Sequence, residues 1–170
     1  RLQNLRARFG VFAVLGNHDW WFDGQRVTAA IKAANIRVLE NEAVPLAPDK
    51  PTVWLAGLAD LWTRPQAIER TVGQVPPGAY TIALTHNPDI FPHVPTSVGL
   101  TLAGHTHGGQ VNLPLLGRLV VPSDFGQRYA RGRVSENGHD LYVTSGVGTS
   151  IMPIRFDVPP EICLLTLRAK

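Results

Sequence analysis

Three short polar clusters hold the residue types that can do chemistry. They are Gly16-Asn17-His18-Asp19, His86-Asn87-Pro88-Asp89 and Gly104-His105-Thr106-His107-Gly108-Gly109-Gln110. Imidazole nitrogens together with amide and carboxylate oxygens suit Zn, Mn, Fe or Ni. The His-x-His cluster is the most specific of the three. On a strand, His105 and His107 would share one face, because side chains there repeat every two residues. On a turn flanked by glycines, the two rings can instead reach two neighbouring ions. Gly104, Gly108 and Gly109 permit the close backbone approach and positive φ that a compact metal loop needs. Each cluster alone also fits an ordinary polar turn, since Gly, Asn and Asp are turn formers. All three together, each directly after an apolar run, point to a metal site.

The apolar runs are the elements that must position these groups. Gly10 to Leu15, Tyr80 to Thr85 and Gly99 to Ala103 read as buried strands, and each delivers one cluster at its carboxyl end. Ligands gather at that end of strands in layered α/β folds. Asp23 is placed to cap a helix in which Val27, Ala30, Ile31 and Ala34 recur at helical spacing. A short strand over Ile36 to Leu39 and another over Val53 to Leu58 follow. Pro65 suits the first turn of a further helix ending before Gly73. Beyond residue 110 the pattern turns to β, over Arg118 to Val121, Tyr129 to Val134, Asp140 to Thr144 and Glu161 to Leu167. Asn137-Gly138 is a hairpin turn signal. These alternations predict one α/β layered domain over residues 1–170, with no linker to divide it.

Composition limits the alternatives. The 170 residues are 44% apolar and 17% charged, which is a globular balance. No apolar run nears the roughly 18 residues of a membrane span. The chain opens on Arg1-Leu2-Gln3-Asn4 without an initiator Met or an apolar leader, so nothing about targeting of a parent protein follows. A single cysteine, Cys163, excludes an intramolecular disulfide and is expected as a buried, inert thiol. The net charge of +3 is small, and only Arg128, Arg131 and Arg133 cluster, so a nucleic-acid partner is not expected. His93 and His139 have no motif context and read as ordinary surface or hydrogen-bonded histidines. Asp60 reads as a solvated loop carboxylate. Trp20, Trp21 and Phe22 follow His18 and either line an entrance for an apolar or sugar-like group or pack in the core.

The ordered clusters resemble the last three of five motifs of the calcineurin-like metallophosphoesterases. The phrases Val14 to Asp19, Thr85 to Asp89, Gly104 to Gln110 and Pro159 to Ile162 are most similar to the YkuE-type bacterial branch. The likeness runs from about Gly10 to the C-terminus. It implies a mixed-sheet layered sandwich of the metallophosphoesterase type, C-terminal portion. It implies two divalent transition-metal ions (Mn, Zn or Fe). Asn17, His86 and His105 would bind one of them and His107 the other. It further implies that His18 protonates the leaving oxygen or stabilises charge there, and that Asp19 orients the His18 ring. The reaction implied is hydrolysis of a phosphomonoester, phosphodiester or pyrophosphate by metal-bound hydroxide. A phosphorylated small molecule or a lipid-linked substrate would suit such a site. The resemblance implies a cytoplasmic or envelope-associated parent, which includes membrane association.

The departure from the family pattern matters equally. Asp-x-His and Gly-Asp-x-x-Asp, the first two motifs, occur nowhere in the chain. The expectation is therefore an N-terminally truncated domain that lacks the bridging carboxylate and is inactive alone. The rival reading is a non-catalytic metal-binding or interaction domain. Both upstream motifs in frame in the parent gene would favour the enzyme.

Overall fold

Residues 2–168 are described by a computed structural model. The elements in chain order are β1 (Phe12–Ala13), α1 (Asn17–Ala33), β2 (Arg37–Val38), β3 (Glu42–Pro45), β4 (Val53–Gly57), α2 (Ile68–Val72), β5 (Tyr80–Leu84), β6 (Val98–Ala103), β7 (Asn112–Leu113), β8 (Gly117–Arg118), β9 (Gly132–Glu136) and β10 (His139–Val143). Short 3-10 turns cover Leu2–Asn4, Pro88–His93, His107–Gly109 and Gly126–Tyr129. A six-stranded mixed sheet runs in the order β3-β4-β5-β6-β10-β9. Strands β4, β5, β6 and β10 are parallel, and antiparallel β3 and β9 close the two edges. The parallel pair β1-β2 and the antiparallel hairpin β7-β8 stand apart from this sheet. The fold is the expected mixed α/β sandwich.

Three of the four parallel strands, β4, β5 and β6, are largely apolar on both faces, as strands covered on both sides must be, whereas β10 carries Asp140 on one face. One face carries Leu55, Ile82 and Leu100, packed with Leu39, Val44, Phe12 and Val14. The other face carries Ala83 and Val98 beneath Leu58, Ile90, Val94 and the α2 residues Ile68 and Val72. It continues through Ala103, Leu141 and Val143 under Phe91 and Tyr129. The sheet is thus the middle of three layers, and all four parallel strands end at one edge.

Hydrogen bonds extend that edge beyond the strands. Leu58 N donates to Leu84 O (2.8 Å), Thr85 N to Leu102 O (3.0 Å), and Gly104 N to His86 O (3.0 Å). Thr144 N donates to Ala103 O (2.9 Å). His86 and His105 are therefore held in register before any side-chain contact is made.

Several local expectations meet the structure differently. Asp23 does cap a helix, its Oδ1 accepting from Arg26 N at 3.0 Å, but that helix is the second half of α1. Asp23 is extended (φ 179°, ψ 89°), and a first helical turn already begins at Asn17. Gly24 is needed beside it, because a Cβ there would lie 2.0 Å from the Trp20 ring. The Asn137-Gly138 turn is formed with both residues at positive φ (52° and 84°), joining β9 to β10. Among the described residues, Glu161 to Leu167 pairs with no strand, and Ile162 and Leu164 are exposed. Cys163 is only half-buried, its Sγ 3.4 Å from Thr144 Oγ1. His139 is buried and stacked on Phe91 with ring centroids 4.4 Å apart, so it belongs to the core. Arg128, Arg131 and Arg133 each pair with a carboxylate, Glu136, Glu161 and Asp140. Exposed pairs of this kind contribute about 0–1 kcal/mol. They nevertheless neutralise this basic cluster.

Candidate metal centre

The segment after β1 turns directly into α1, with Gly16 as its N-cap. Asp19 Oδ2 accepts the Gly16 N–H at 2.8 Å, which closes the first turn as a capping box does. Successive helical residues point about 100° apart. Asn17 therefore turns inward and is 1% exposed, while His18 next to it faces solvent.

His86, just beyond β5, and His105, just beyond β6, meet Asn17 there. His86 Nε2 lies 2.9 Å from Asn17 Oδ1 and 3.0 Å from His105 Nδ1. The two imidazoles meet edge to face with centroids 4.8 Å apart. Three lone-pair donors from three distant stretches of chain thus converge. His107 makes no side-chain hydrogen bond to this trio, yet it lies near enough for its charge to act on both His86 and His105. Among the described residues, no three His, Cys, Asp or Glu side chains converge to hold a metal by themselves. The converging set is two imidazoles and an amide.

The loop that presents His105 and His107 is held in an unfavourable conformation. His105 (φ 67°), His107 (φ 51°) and Gln110 (φ 52°) all adopt left-handed backbone conformations, as do Gly108 and Gly109. A non-glycine residue there costs about 1–3 kcal/mol. Surrounding contacts compensate: Thr106 Oγ1 donates to Ala130 O (2.7 Å), and Arg118 Nε to Gly108 O (2.8 Å). Arg155 donates to the carbonyls of His107 (3.3 Å), Ser145 (2.7 Å) and Val158 (3.2 Å). This loop is a turn with a short 3-10 segment, not a continuation of the strand.

Burial keeps these rings neutral. Desolvation pushes His105 down to about 4, helped by the neighbouring His86, His107 and His18. Burial also lowers His86, against the opposing pull of Asp60, and lowers His107 together with the charge of Arg155. Neutral imidazoles are the form that binds metal.

Known proteins align along this whole arrangement. YkuE, an uncharacterized metallophosphoesterase of Bacillus subtilis, is 33% identical over 172 residues, covering 99% of this chain and 59% of its own length. YaeI, a phosphodiesterase of Escherichia coli, is 33% identical over 166 residues, covering 92% and 57%. An uncharacterized metallophosphoesterase of Aquifex aeolicus is 33% identical over 179 residues, covering 99% and 65%. Over 92% to 99% of its length the chain is similar to these phosphoesterases. It spans 57% to 65% of the length of these three relatives. No family model matches the chain, and no solved structure matches it.

The donor set fits one of the cations that a metallophosphoesterase implies. Oδ1, Nε2 and Nδ1 sit at mutual spacings of 2.9 and 3.0 Å around His86, and all three can act as lone-pair donors to one ion. The far nitrogen of His105, Nε2, is buried without a hydrogen bond of normal geometry, and the Pro122 carbonyl is its weak polar neighbour. Metal-bound imidazoles commonly direct their other nitrogen at such a carbonyl.

Three features of this candidate site are missing from the sequence reading. Asp60 is 1% exposed, not solvated. Its Oδ2 accepts from Thr63 N (3.0 Å) and Thr63 Oγ1 (2.6 Å), its Oδ1 is unpartnered, and its charge acts on His86. Its position just beyond β4 obeys the strand-end rule that located the histidines, so the signal was present. Trp62 lies edge-on to His105 (4.5 Å), and Ser150 Oγ lies 3.3 Å from His18 Nε2. Neither has a local sequence signal. Asp19 bonds the Gly16 backbone, and no Asp19–His18 hydrogen bond occurs among the described residues.

Gly16 yields a prediction with a steric origin. A Cβ on Gly16 would lie 2.5 to 2.7 Å from the His86 ring, inside any real contact, although its φ of −107° suits every residue. Gly16→Ala should therefore displace His86 and weaken Zn²⁺ affinity by roughly tenfold or more, the scale of losing a metal-ligand support. Calorimetric titration of the variant beside the parent checks it, and an unchanged affinity would refute the packing argument.

Proposed function

We propose that this chain is part of a single metal-dependent phosphohydrolase domain, holding one cation through Asn17, His86 and His105. The approach of Asn17 Oδ1 and His105 Nδ1 to within 3.0 Å of His86 Nε2 carries the reading. His107 serves a second cation. Its half-buried ring, lowered by burial and by Arg155, supports that assignment. Two such ions supply charge neutralisation at phosphorus and a hydrolytic nucleophile. The donors present are all neutral, and Asp-x-His and Gly-Asp-x-x-Asp do not occur among them. The bridging carboxylate and the remaining ligands therefore come from outside this stretch, and the chain alone is an incomplete centre.

His18 is the acid of the proposed reaction. Its ring is exposed beside the donor trio, and Nε2 is within reach of a solvent-side oxygen, as its 3.3 Å approach to Ser150 Oγ illustrates. From Nε2 it delivers a proton to the oxygen leaving phosphorus. Asp19 supports this at one remove, by closing the turn that aims His18 outward. The relative named a phosphodiesterase favours a phosphodiester among the phosphoester classes. The substrate is a phosphorylated small molecule or a lipid-linked one. Among the described residues, no helix is long and apolar enough to cross a membrane.

The protein extended to include upstream motifs tests these roles. His18→Ala should lower turnover of a generic phosphodiester on the order of 10²-fold or more, with metal content unchanged. His105→Ala should lose metal and activity together. Elemental analysis that finds the His18→Ala protein stripped of metal would contradict the division of labour.

A further inference from the structure

We propose that Trp21 and Trp62 form a stacking platform for a flat aromatic group on the phosphoester, a nucleobase or an aryl ring. The inference rests on the reading of the site given above and adds a substrate class to it. The two indoles come from distant segments, the first turn of α1 and the loop after β4. They meet with centroids 6.3 Å apart and planes inclined by only 27°. At one end, Trp21 lies edge-on to His18 at 5.0 Å, and at the other, Trp62 lies edge-on to His105 at 4.5 Å. The wall thus runs from the proposed proton donor to the proposed metal ligand. A group carried on phosphorus bound between those two ends would lie beside it.

Exposure separates these two indoles from those that merely pack. Trp21 is 62% and Trp62 49% exposed, a large apolar area to leave in water beside a polar site. Trp20, adjacent in sequence, is instead covered: Gly24 lies against its ring, and the Arg64 guanidinium sits 4.3 Å above it. Flat π-systems stack on indoles in offset or edge-on geometry, favoured over aliphatic contacts of equal area by the ring quadrupole. Such stacking tolerates different bases, because it reads flatness and not hydrogen-bond pattern. The platform therefore selects for an aromatic group without specifying which one.

The test uses the chain itself with Zn²⁺, titrated with adenosine monophosphate, ribose 5-phosphate and inorganic phosphate, and read by calorimetry and indole emission. Adenosine monophosphate should bind about tenfold or more tighter than ribose 5-phosphate and quench the emission. Trp21→Ala and Trp62→Ala should each erase most of that difference, and Trp21→Ala, which does not touch a proposed metal ligand, should leave inorganic phosphate binding as before. Trp62→Phe, which keeps a ring against His105, should retain part of it. Equal affinities for the two sugar phosphates, or full discrimination in both alanine variants, would overturn the platform while leaving the metal site standing. Quenching by phosphatidylglycerol vesicles and not by the nucleotide would also overturn it, marking a lipid-facing surface instead. Failure of Zn²⁺ and of all three ligands to bind would overturn the site and the platform together.

Discussion

Replacing both His86 and His105 by alanine should abolish Mn²⁺ or Zn²⁺ binding to the isolated chain. The parent chain should bind about one equivalent, weakly, because its converging donors are one amide and two imidazoles with no carboxylate among them. Binding should depend on pH in a way set by burial. His105 is pushed down to about 4 and His86 is lowered too, so both rings take up their protons at lower pH than a free imidazole does. Affinity should therefore persist through pH 6 and collapse only as pH falls toward about 4, where His105 takes up its proton. The same shift fixes the sign of a stability effect. Between about 4 and the unperturbed 6.5, the folded chain binds fewer protons than the unfolded chain. The contribution is complete above 6.5 and is lost as pH falls toward about 4. Metal-free melting temperature should decline across that window, and His105→Ala should flatten the decline. Calorimetry that finds two tight sites, or binding indifferent to the double substitution, would refute the assignment.

The isolated chain should turn over a generic phosphodiester on the order of 10³-fold more slowly than an extended protein that carries the upstream motifs. The factor follows from losing one of two ions, which together contribute several kcal/mol of charge stabilisation, at about 1.4 kcal/mol per tenfold. His18 remains in place and exposed, so a trace of activity on an activated aryl ester fits the same picture. The chain should also tend to self-associate, since Val27, Ala30 and Ile31 on α1 line a surface groove with Leu2 and Gln3 and stay at least partly exposed. Side-by-side steady-state rates with added Mn²⁺ decide the matter. Comparable rates would mean that these residues complete a site unaided, or that a second chain completes it.

Much of the backbone was legible locally. Val53 to Leu58, Tyr80 to Thr85 and Gly99 to Ala103 are continuous apolar runs, and they became the parallel strands because only a doubly covered sheet removes both faces from water. The Asn137-Gly138 turn follows from residues that tolerate positive φ. Other elements lacked a local signal. β3 contains Glu42 and ends on Pro45, poor strand residues that an edge strand accepts because one side of its backbone needs no partner. Glu161 to Leu167 has the strand pattern but found no neighbour to pair with among the described residues.

For the candidate site, the sequence by itself determined the donor types: which histidines follow strands, and the Asn beside His18. It could not determine that Asn17 and His105 each come within 3.0 Å of His86, because that depends on strand order and on both flanking layers. Nor could it bury Asp60 or bring Trp21 to Trp62, whose contact joins segments 41 positions apart in chain numbering. Local periodicity encodes how a backbone folds on itself, whereas burial, ring neutrality and cross-chain contact arise only when the packed layers exclude water.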